Sequence, residues 1–343
     1  MPTLTAVVTD YIEPDLNWEI QQCKEIGVDL SAYQLKTAGA EELIRVSQDA
    51  DVVVVNMARI NAEVISGLRR CKLIIRHGIG YDNVDLVAAT RQGIQVVNIP
   101  DYCVQEVAEQ AVTLLVACQR KLLLQNQLLR SSVNQGRWDF NPITPVFRLA
   151  GKTIGILGFG RIGSTVYRML QGFNVRFIIV DPYISEERKA SFGIQTSSFE
   201  NLLREADAIT VHVPLKWGET YHMFDAEQFA QMKPNAVLVN TSRGGIVNLN
   251  ALNDALNAGQ LGMAGIDVYE QEPPAPDHPL INNPKVICTP HLSWLSEESG
   301  IAIRQKIVED IRRFRNGEEQ LHLVFPTEFE LRAQGEGLNH GKN

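Results

Sequence analysis

The stretch KTIGILGFGRIGSTVYRMLQGFNVRFIIVD, residues 152–181, decides the fold. Ile154, Gly155, Ile156 and Leu157 make a short apolar run rich in β-branched residues, which reads as a buried strand of a parallel sheet. Gly158, Gly160 and Gly163 follow at once in G-x-G-x-x-G spacing. Residues 164–172 are amphipathic and read as a helix, and residues 175–180 read as a second apolar strand with Asp181 at its tip. Strand, glycine turn, helix and strand in this order form one βαβ unit.

Each part has a physical task. Gly158 permits the tight turn, Gly160 leaves room for a pyrophosphate against the backbone, and Gly163 lets helix and strand approach closely. The unpaired N–H groups and positive end of the helix starting near Arg161 favour phosphate charge. Asp181 is placed to accept hydrogen bonds from both hydroxyls of an adenosine ribose, and its charge repels a 2′-phosphate. The unit therefore predicts a dinucleotide site with NAD, not NADP, as cofactor.

Working outward, 343 residues suggest about two domains. With 45% hydrophobic and 21% charged residues the composition is that of a globular protein. A net charge of −8 without a long basic run argues against nucleic acid as a partner. No apolar stretch approaches the roughly 20 residues that span a bilayer. The beginning, MPTLTAVVTDY, reads as a first strand and not a signal peptide. Cys23, Cys71, Cys103, Cys118 and Cys288 show no zinc spacing and read as reduced thiols of a cytoplasmic protein. The scattered histidines give a metal site no support.

Residues 1–100 alternate apolar strands with helical stretches and make an α/β unit before the glycine turn. Residues 15–26 read as a helix capped by Asp15 and stopped by Gly27. Residues 104–131 read as one long helix, apolar on more than one face, which predicts burial against a second subunit as well as its own domain. Residues 134–145 read as a loop. After Asp181 the βα pattern continues to a strand at 286–289, and residues 296–316 read as an amphipathic helix with a solvated outer face. The tail 331–343 has no periodicity and reads as disordered.

Three polar residues stand just past strands or in the loop between them: Arg243, Glu272 and His291. In an open parallel sheet, ligands bind beyond the carboxyl ends of the strands. Reduction of a 2-keto acid needs a proton donor for the carbonyl oxygen, a cation for the carboxylate and a group that keeps the donor charged. His291 suits the first task, Arg243 the second through bidentate hydrogen bonds, and Glu272 the third. Singly, each has a bland reading as a turn or surface residue; the nucleotide unit upstream gives the set its meaning.

In order, GFGRIG (158–163), DP (181–182), VNTSRGG (239–245), DVYEQEP (267–273) and TPHLSW (289–294) resemble the D-isomer-specific 2-hydroxyacid dehydrogenase family. The stretches NVRFIIVDPYIS, VNTSRGGIV and ICTPHLSWLSEES are most similar to its C-terminal-binding-protein-like branch. The resemblance implies two doubly wound parallel-sheet α/β domains with a cleft between them. A flavodoxin-like substrate domain would comprise 1–101 and 292–330, and a Rossmann NAD domain 102–291, with chain crossings near Asp101 and His291. It implies that Arg243, Glu272 and His291 are catalytic, that the backbone of Ile79 and Gly80 binds the substrate carboxylate, and that Trp294 lines the substrate pocket. Asp267 would hold the nicotinamide carboxamide, and Arg161, Ile162, Val213, Pro214 and Thr241 would join Gly158, Gly160, Gly163 and Asp181 around NAD. A homodimer is implied as well. Gln110 and Ala111 depart from a His-Thr pair frequent in the family, and His77 and Tyr81 have no assignment.

The expected activity is thus NAD-dependent interconversion of a small 2-keto acid and its D-2-hydroxy acid. Two alternatives stand beside it. One is phosphoglycerate dehydrogenase, against which residues 56–61 offer a single base, Arg59. The other is an NAD(H)-sensing, corepressor-like binding protein.

Overall fold

The computed structural model describes residues 3–140, 143–327 and 331, so the tail expected to be disordered lies, Leu331 apart, outside the described residues. The chain divides into two compact units, Met1–Tyr102 with the chain from Ser296 onward, and Cys103–Leu295.

In the first unit β1 (Leu4–Val8), β2 (Val28–Ala32), β3 (Val52–Val55), β4 (Leu73–Arg76) and β5 (Gln95–Asn98) form a parallel sheet in the order β2-β1-β3-β4-β5. This is the flavodoxin order, which reverses direction between β1 and β3. Crossovers are made by α1 (Asn17–Glu25), α2 (Ala40–Ser47), α3 (Ala62–Gly67) and α4 (Leu86–Arg91). Asn61 and Asp85 cap α3 and α4 by accepting the N–H groups of Val64 and Ala88. Alternate strand residues feed opposite faces: Val53, Val55 and Ile74 pack with Leu43 and Val64, while Val52, Val54 and Ile75 pack with Ile303, Ile307 and Ile311. Those three isoleucines lie on α12 (Glu297–Asn316), which opens with a capping box at Ser296.

The second unit begins with α5 (Val104–Gln119) and α6 (Leu122–Val133). The single helix expected over 104–131 is thus two, because Lys121 turns into the left-handed region at φ 53° and ends the first. This also resolves its excess of apolar faces. On α5 Ala111, Leu114, Leu115 and Cys118 are buried in the unit's own core, whereas on α6 Leu122, Leu123 and Leu129 are exposed. The sheet comprises β6 (Thr153–Leu157), β7 (Arg176–Val180), β8 (Ala208–Val211), β9 (Val237–Asn240), β10 (Met263–Ile266) and β11 (Val286–Cys288) in the order β11-β10-β9-β8-β6-β7, all parallel. Beyond β7 a single parallel bridge joins Ile179 to Thr196. Counting it as a reduced edge strand gives the Rossmann sequence 3-2-1-4-5-6 with one strand added. The helices α7 (Arg161–Leu170), α8 (Glu186–Phe192), α9 (Phe199–Glu205), α10 (Ala226–Gln231) and α11 (Leu249–Asn257) complete the unit.

The second crossing falls after Leu295, later than the expected position near His291. Asp267, completely buried, accepts the N–H groups of Leu292 and Ser293 at 3.1 and 3.0 Å and so ties that segment to the second unit. Trp294 therefore belongs to the nucleotide unit, not to the first unit as its expected place at 292–330 implied.

Candidate active site

The glycine turn joins β6 to α7. Gly158 stands at φ 89°, and a Cβ built on it would come within 2.7 Å of the His212 carbonyl oxygen. A Cβ on Gly163 would lie 2.0 Å from the Gly158 carbonyl oxygen, so only glycine lets the helix start so close to the strand. The Cβ position of Gly160 meets nothing within 4 Å, which leaves open the approach a pyrophosphate would use. Gly160 is the N-cap of α7 and caps with no side chain, so the first-turn N–H groups, at Arg161 and Ile162, face outward without helical partners.

Asp181, at the end of β7, accepts the N–H of Phe159 at 2.8 Å on one oxygen and that of Tyr183 at 2.9 Å on the other. These bonds fix the carboxylate beside the turn, and each oxygen keeps a lone pair for a ribose hydroxyl. Val213 packs beneath Gly158, with Pro214 next in the chain. Two buried polar atoms near the sheet's carboxyl edge have no partner among the described residues, the Thr241 hydroxyl and Nδ1 of His212. Burial pushes the His212 imidazole down to about 3, so it is neutral there. Open glycine, uncapped helix start, fixed acid and unsatisfied polar atoms together fit a dinucleotide. Arg188, which sequence reasoning missed, clamps the turn from behind: it donates to the carbonyls of Phe159 and Gly160 at 3.2 Å and to the Ser164 hydroxyl at 2.9 Å. It stands on α8, also missed. The Ser185 cap followed by Glu186 and Glu187 is the signal that could have found that helix.

Further along the same sheet edge, His291 follows β11 with a left-handed backbone, φ 56°. Its Nδ1 lies 2.7 Å from Oε2 of Glu272, and both side chains are about one-third exposed (35% and 33%). Glu272 Oε1 accepts the Tyr269 N–H at 3.0 Å. Nε2 of His291 makes no bond among the described residues and is the ring atom left for a ligand. Burial by itself would raise the Glu272 carboxyl. The His291 hydrogen bond and charge, the Tyr269 N–H and the Arg243 charge outweigh it and hold Glu272 below the usual carboxylate range.

Arg243 follows β9, and its carbonyl accepts from the Asn240 side chain at 2.8 Å. The next residue, Gly244, lies against the Tyr269–Glu270 backbone so closely that a Cβ would stand 1.9 Å from the Tyr269 carbonyl carbon. That contact brings the Arg243 turn to the Glu272 loop. Among the described residues the carboxylate of Asp267, expected at the nicotinamide carboxamide, accepts from Thr289 Oγ1, Leu292 N, Ser293 N and Ser293 Oγ. These bonds build the His291 segment onto Asp267. Trp294 reinforces that segment through an indole N–H donated to the His291 carbonyl at 3.0 Å. Ile79 and Gly80 lie in the first unit, at the carboxyl end of β4.

A Rossmann sheet carrying an open glycine turn and an imidazole–carboxylate pair on one edge defines a class: dinucleotide-binding proteins equipped to move a proton at the bound cofactor. Residues 112–293 match the model of the D-isomer specific 2-hydroxyacid dehydrogenase, NAD binding domain. The chain belongs to that family, and its second unit is the family's NAD-binding domain.

Among curated proteins the chain is 36% identical over 326 residues to a D-3-phosphoglycerate dehydrogenase of Archaeoglobus fulgidus, covering 93% of this chain and 60% of that one. It is 36% identical over 279 residues to a glyoxylate reductase of Korarchaeum cryptofilum, covering 80% and 82%. The chain thus spans less than two thirds of the first relative's length. Among solved structures it is similar to D-lactate dehydrogenase from Aquifex aeolicus complexed with NAD and lactic acid, with a TM-score of 0.82, 27% identity and coverage of 94% and 100%.

Proposed function

We propose that the chain is an NAD-dependent oxidoreductase that interconverts a small 2-keto acid and its D-2-hydroxy acid. The carrying observation is the His291–Glu272 pair, with Nδ1 bonded to the carboxylate and Nε2 open, in the unit that holds the glycine turn. When bound, NADH supplies the hydride for C2 of the keto acid. His291 Nε2 gives its proton to the carbonyl oxygen as it becomes a hydroxyl, and takes it back in the reverse direction. Glu272 keeps the ring oriented through its bond to Nδ1. Arg243 anchors the substrate carboxylate, and the N–H groups of Ile79 and Gly80 are assigned to the same carboxylate by the family resemblance. Trp294 supports His291 and borders the substrate.

The test is NADH oxidation against glyoxylate, pyruvate and hydroxypyruvate, repeated with His291→Ala and Arg243→Ala. The expected outcome is turnover with at least one acid and loss of it in both variants; undiminished turnover in either would remove that residue from its role. A second reading, 3-phosphoglycerate oxidation, is favoured by the relative from Archaeoglobus fulgidus, and a preference for the phosphorylated substrate in the same assay would establish it. A homodimer is part of the proposal: Leu122, Leu123, Leu129 and Val133 leave α6 with an exposed apolar face suited to a second copy. Light scattering that returned the mass of one chain would refute it.

A further inference from the structure

We propose that the buried Glu13–His77 pair is a positioning device for the carboxylate-binding loop at Ile79 and Gly80, setting the direction of its two N–H groups. The inference rests on the reading that this loop takes the substrate carboxylate.

His77 Nε2 lies 3.1 Å from Glu13 Oε1, with the side chains only 6% and 10% exposed. Relative to well-packed apolar side chains, a buried pair of hydrogen-bonded polar groups gives folding little or nothing, because desolvation cancels most of the attraction. A stability role alone therefore explains its presence poorly, and its location offers a better reason. In the run His77, Gly78, Ile79, Gly80, two residues have no side chain, and Gly78 sits at φ 142°. His77 carries the run's one polar side chain, so it is the one residue of the run that can tie it down through a side chain of its own.

The partner stands on a fixed base. Three residues before Glu13, the buried Asp10 carboxylate accepts the N–H groups of Asn56, Met57 and Ala58 at 3.2, 2.6 and 3.2 Å. The His77 N–H in turn donates to the Val55 carbonyl at 2.8 Å.

Three of the loop's carbonyls are held by hydrogen bonds. That of His77 accepts from Arg76 Nη1 at 2.8 Å, in the space a Cβ on residue 78 would fill. That of Gly78 accepts the Ile99 N–H at 3.0 Å, and that of Ile79 accepts from the Asn98 side chain at 2.6 Å. With three consecutive carbonyls held by the protein, the N–H groups of Ile79 and Gly80 are left without an acceptor among the described residues. Successive free backbone N–H groups form an anion-binding concavity. Its aim depends on the glycine-linked peptides not rotating, and the Glu13–His77 bond clamps the end of the run that enters them.

The test joins amide hydrogen exchange to kinetics in His77→Ala, Glu13→Ala, their double variant and His77→Gln. Exchange at residues 78–81 should quicken in both alanine variants. The KM for the best 2-keto acid should rise about tenfold, with kcat within about twofold and the NADH Kd unchanged, the pattern of lost ground-state binding. The double variant should be no worse than either single, since both remove one bond. His77→Gln, whose amide can still donate to Glu13, should recover part of the loss. If His77→Ala fails to fold, Glu13→Gln carries the same measurements. Unchanged loop exchange in folded variants overturns the proposal, as does an equal effect on NADH binding. The underlying reading is tested separately by oxamate: failure to protect the Ile79 and Gly80 amides in the unaltered protein rejects the carboxylate role, whatever the variants do.

Discussion

His291 holds a left-handed backbone that a non-glycine residue adopts at a cost of about 1–2 kcal/mol. The compensation is visible: its N–H donates to the Asp267 carbonyl at 2.8 Å, and the Asp267 carboxylate gathers the residues on either side. In this backbone Nδ1 meets Glu272, and Nε2 makes no bond among the described residues. Replacing His291 by Gln should lower kcat about 10²–10⁴-fold with NADH affinity intact, the usual worth of a positioned acid–base group. Stopped-flow turnover with fluorescence titration of NADH checks both halves.

Asp267→Asn removes one charged acceptor oxygen beneath the same segment. It should cut kcat by about 10-fold or more and also lower Tm, since a buried donor loses its partner; kinetics alone moving would show that Asp267 acts on the ligand instead. For Glu272 the sign follows from a lowered pKa. The pair stabilises the fold fully above the carboxyl's ordinary 4.5 and loses that contribution as pH falls through the depressed value. The Tm deficit of Glu272→Gln should therefore hold at pH above the ordinary 4.5 and shrink toward zero only as pH falls through the depressed value below it, measurable by calorimetry. At this scale the placing of Arg243 after β9, Glu272 in the loop after β10 and His291 after β11 was legible, because the apolar runs that precede them announce the strands; their roles belong to the proposal. Arg188 and the Asp267 bonds were not legible, because they depend on loop paths that no spacing encodes.

For elements, local pattern succeeds where one period dominates. The glycine turn, β6 and β7 announce themselves by composition. β2 went unread because it is a short edge strand in which the exposed Asp29 and Ser31 dilute the apolar signal. The break at Lys121 escaped because a basic residue inside a leucine-rich run gives no warning of a left-handed turn. The turn itself makes two glycine variants behave differently. Gly163→Ala drives a Cβ against backbone that cannot yield, and should cost about 1–3 kcal/mol of stability as well as NADH binding. Gly160→Ala meets open space, so it should fold with unaltered Tm and still bind NADH more weakly, by blocking the backbone's approach to the pyrophosphate. Thermal melts paired with NADH titrations separate the two; a Gly160→Ala protein with undiminished affinity would place the pyrophosphate elsewhere.

Across the whole molecule, the alternation of strands and helices foretold two parallel sheets. The strand orders required the pairing itself, since no local signal states which neighbour β1 or β6 selects. The return of the chain to its first unit places α12 over that sheet, and with it a buried acid with consequences for the stability of the fold. Asp310 is 5% exposed, and its Oδ2 finds no partner among the described residues. Burial foremost, with the Glu309 charge added, pushes its carboxyl from an ordinary 3.8 up to about 7, while Arg313 and Lys306 only partly offset the rise. Between those two values the folded chain keeps a proton that the unfolded chain has released. Stability must then fall as pH climbs from about 4 to about 7, and level off above. Asp310→Asn keeps the shape and removes the ionisation. Its advantage over the unaltered protein should be near zero at pH 4 and grow to a few kcal/mol, on the order of several degrees in Tm, by pH 8. Denaturant melts of the two proteins across that range decide the matter: a difference that stays flat with pH would mean that Asp310 is already ionised in the fold and that its neighbours, not its burial, set its charge.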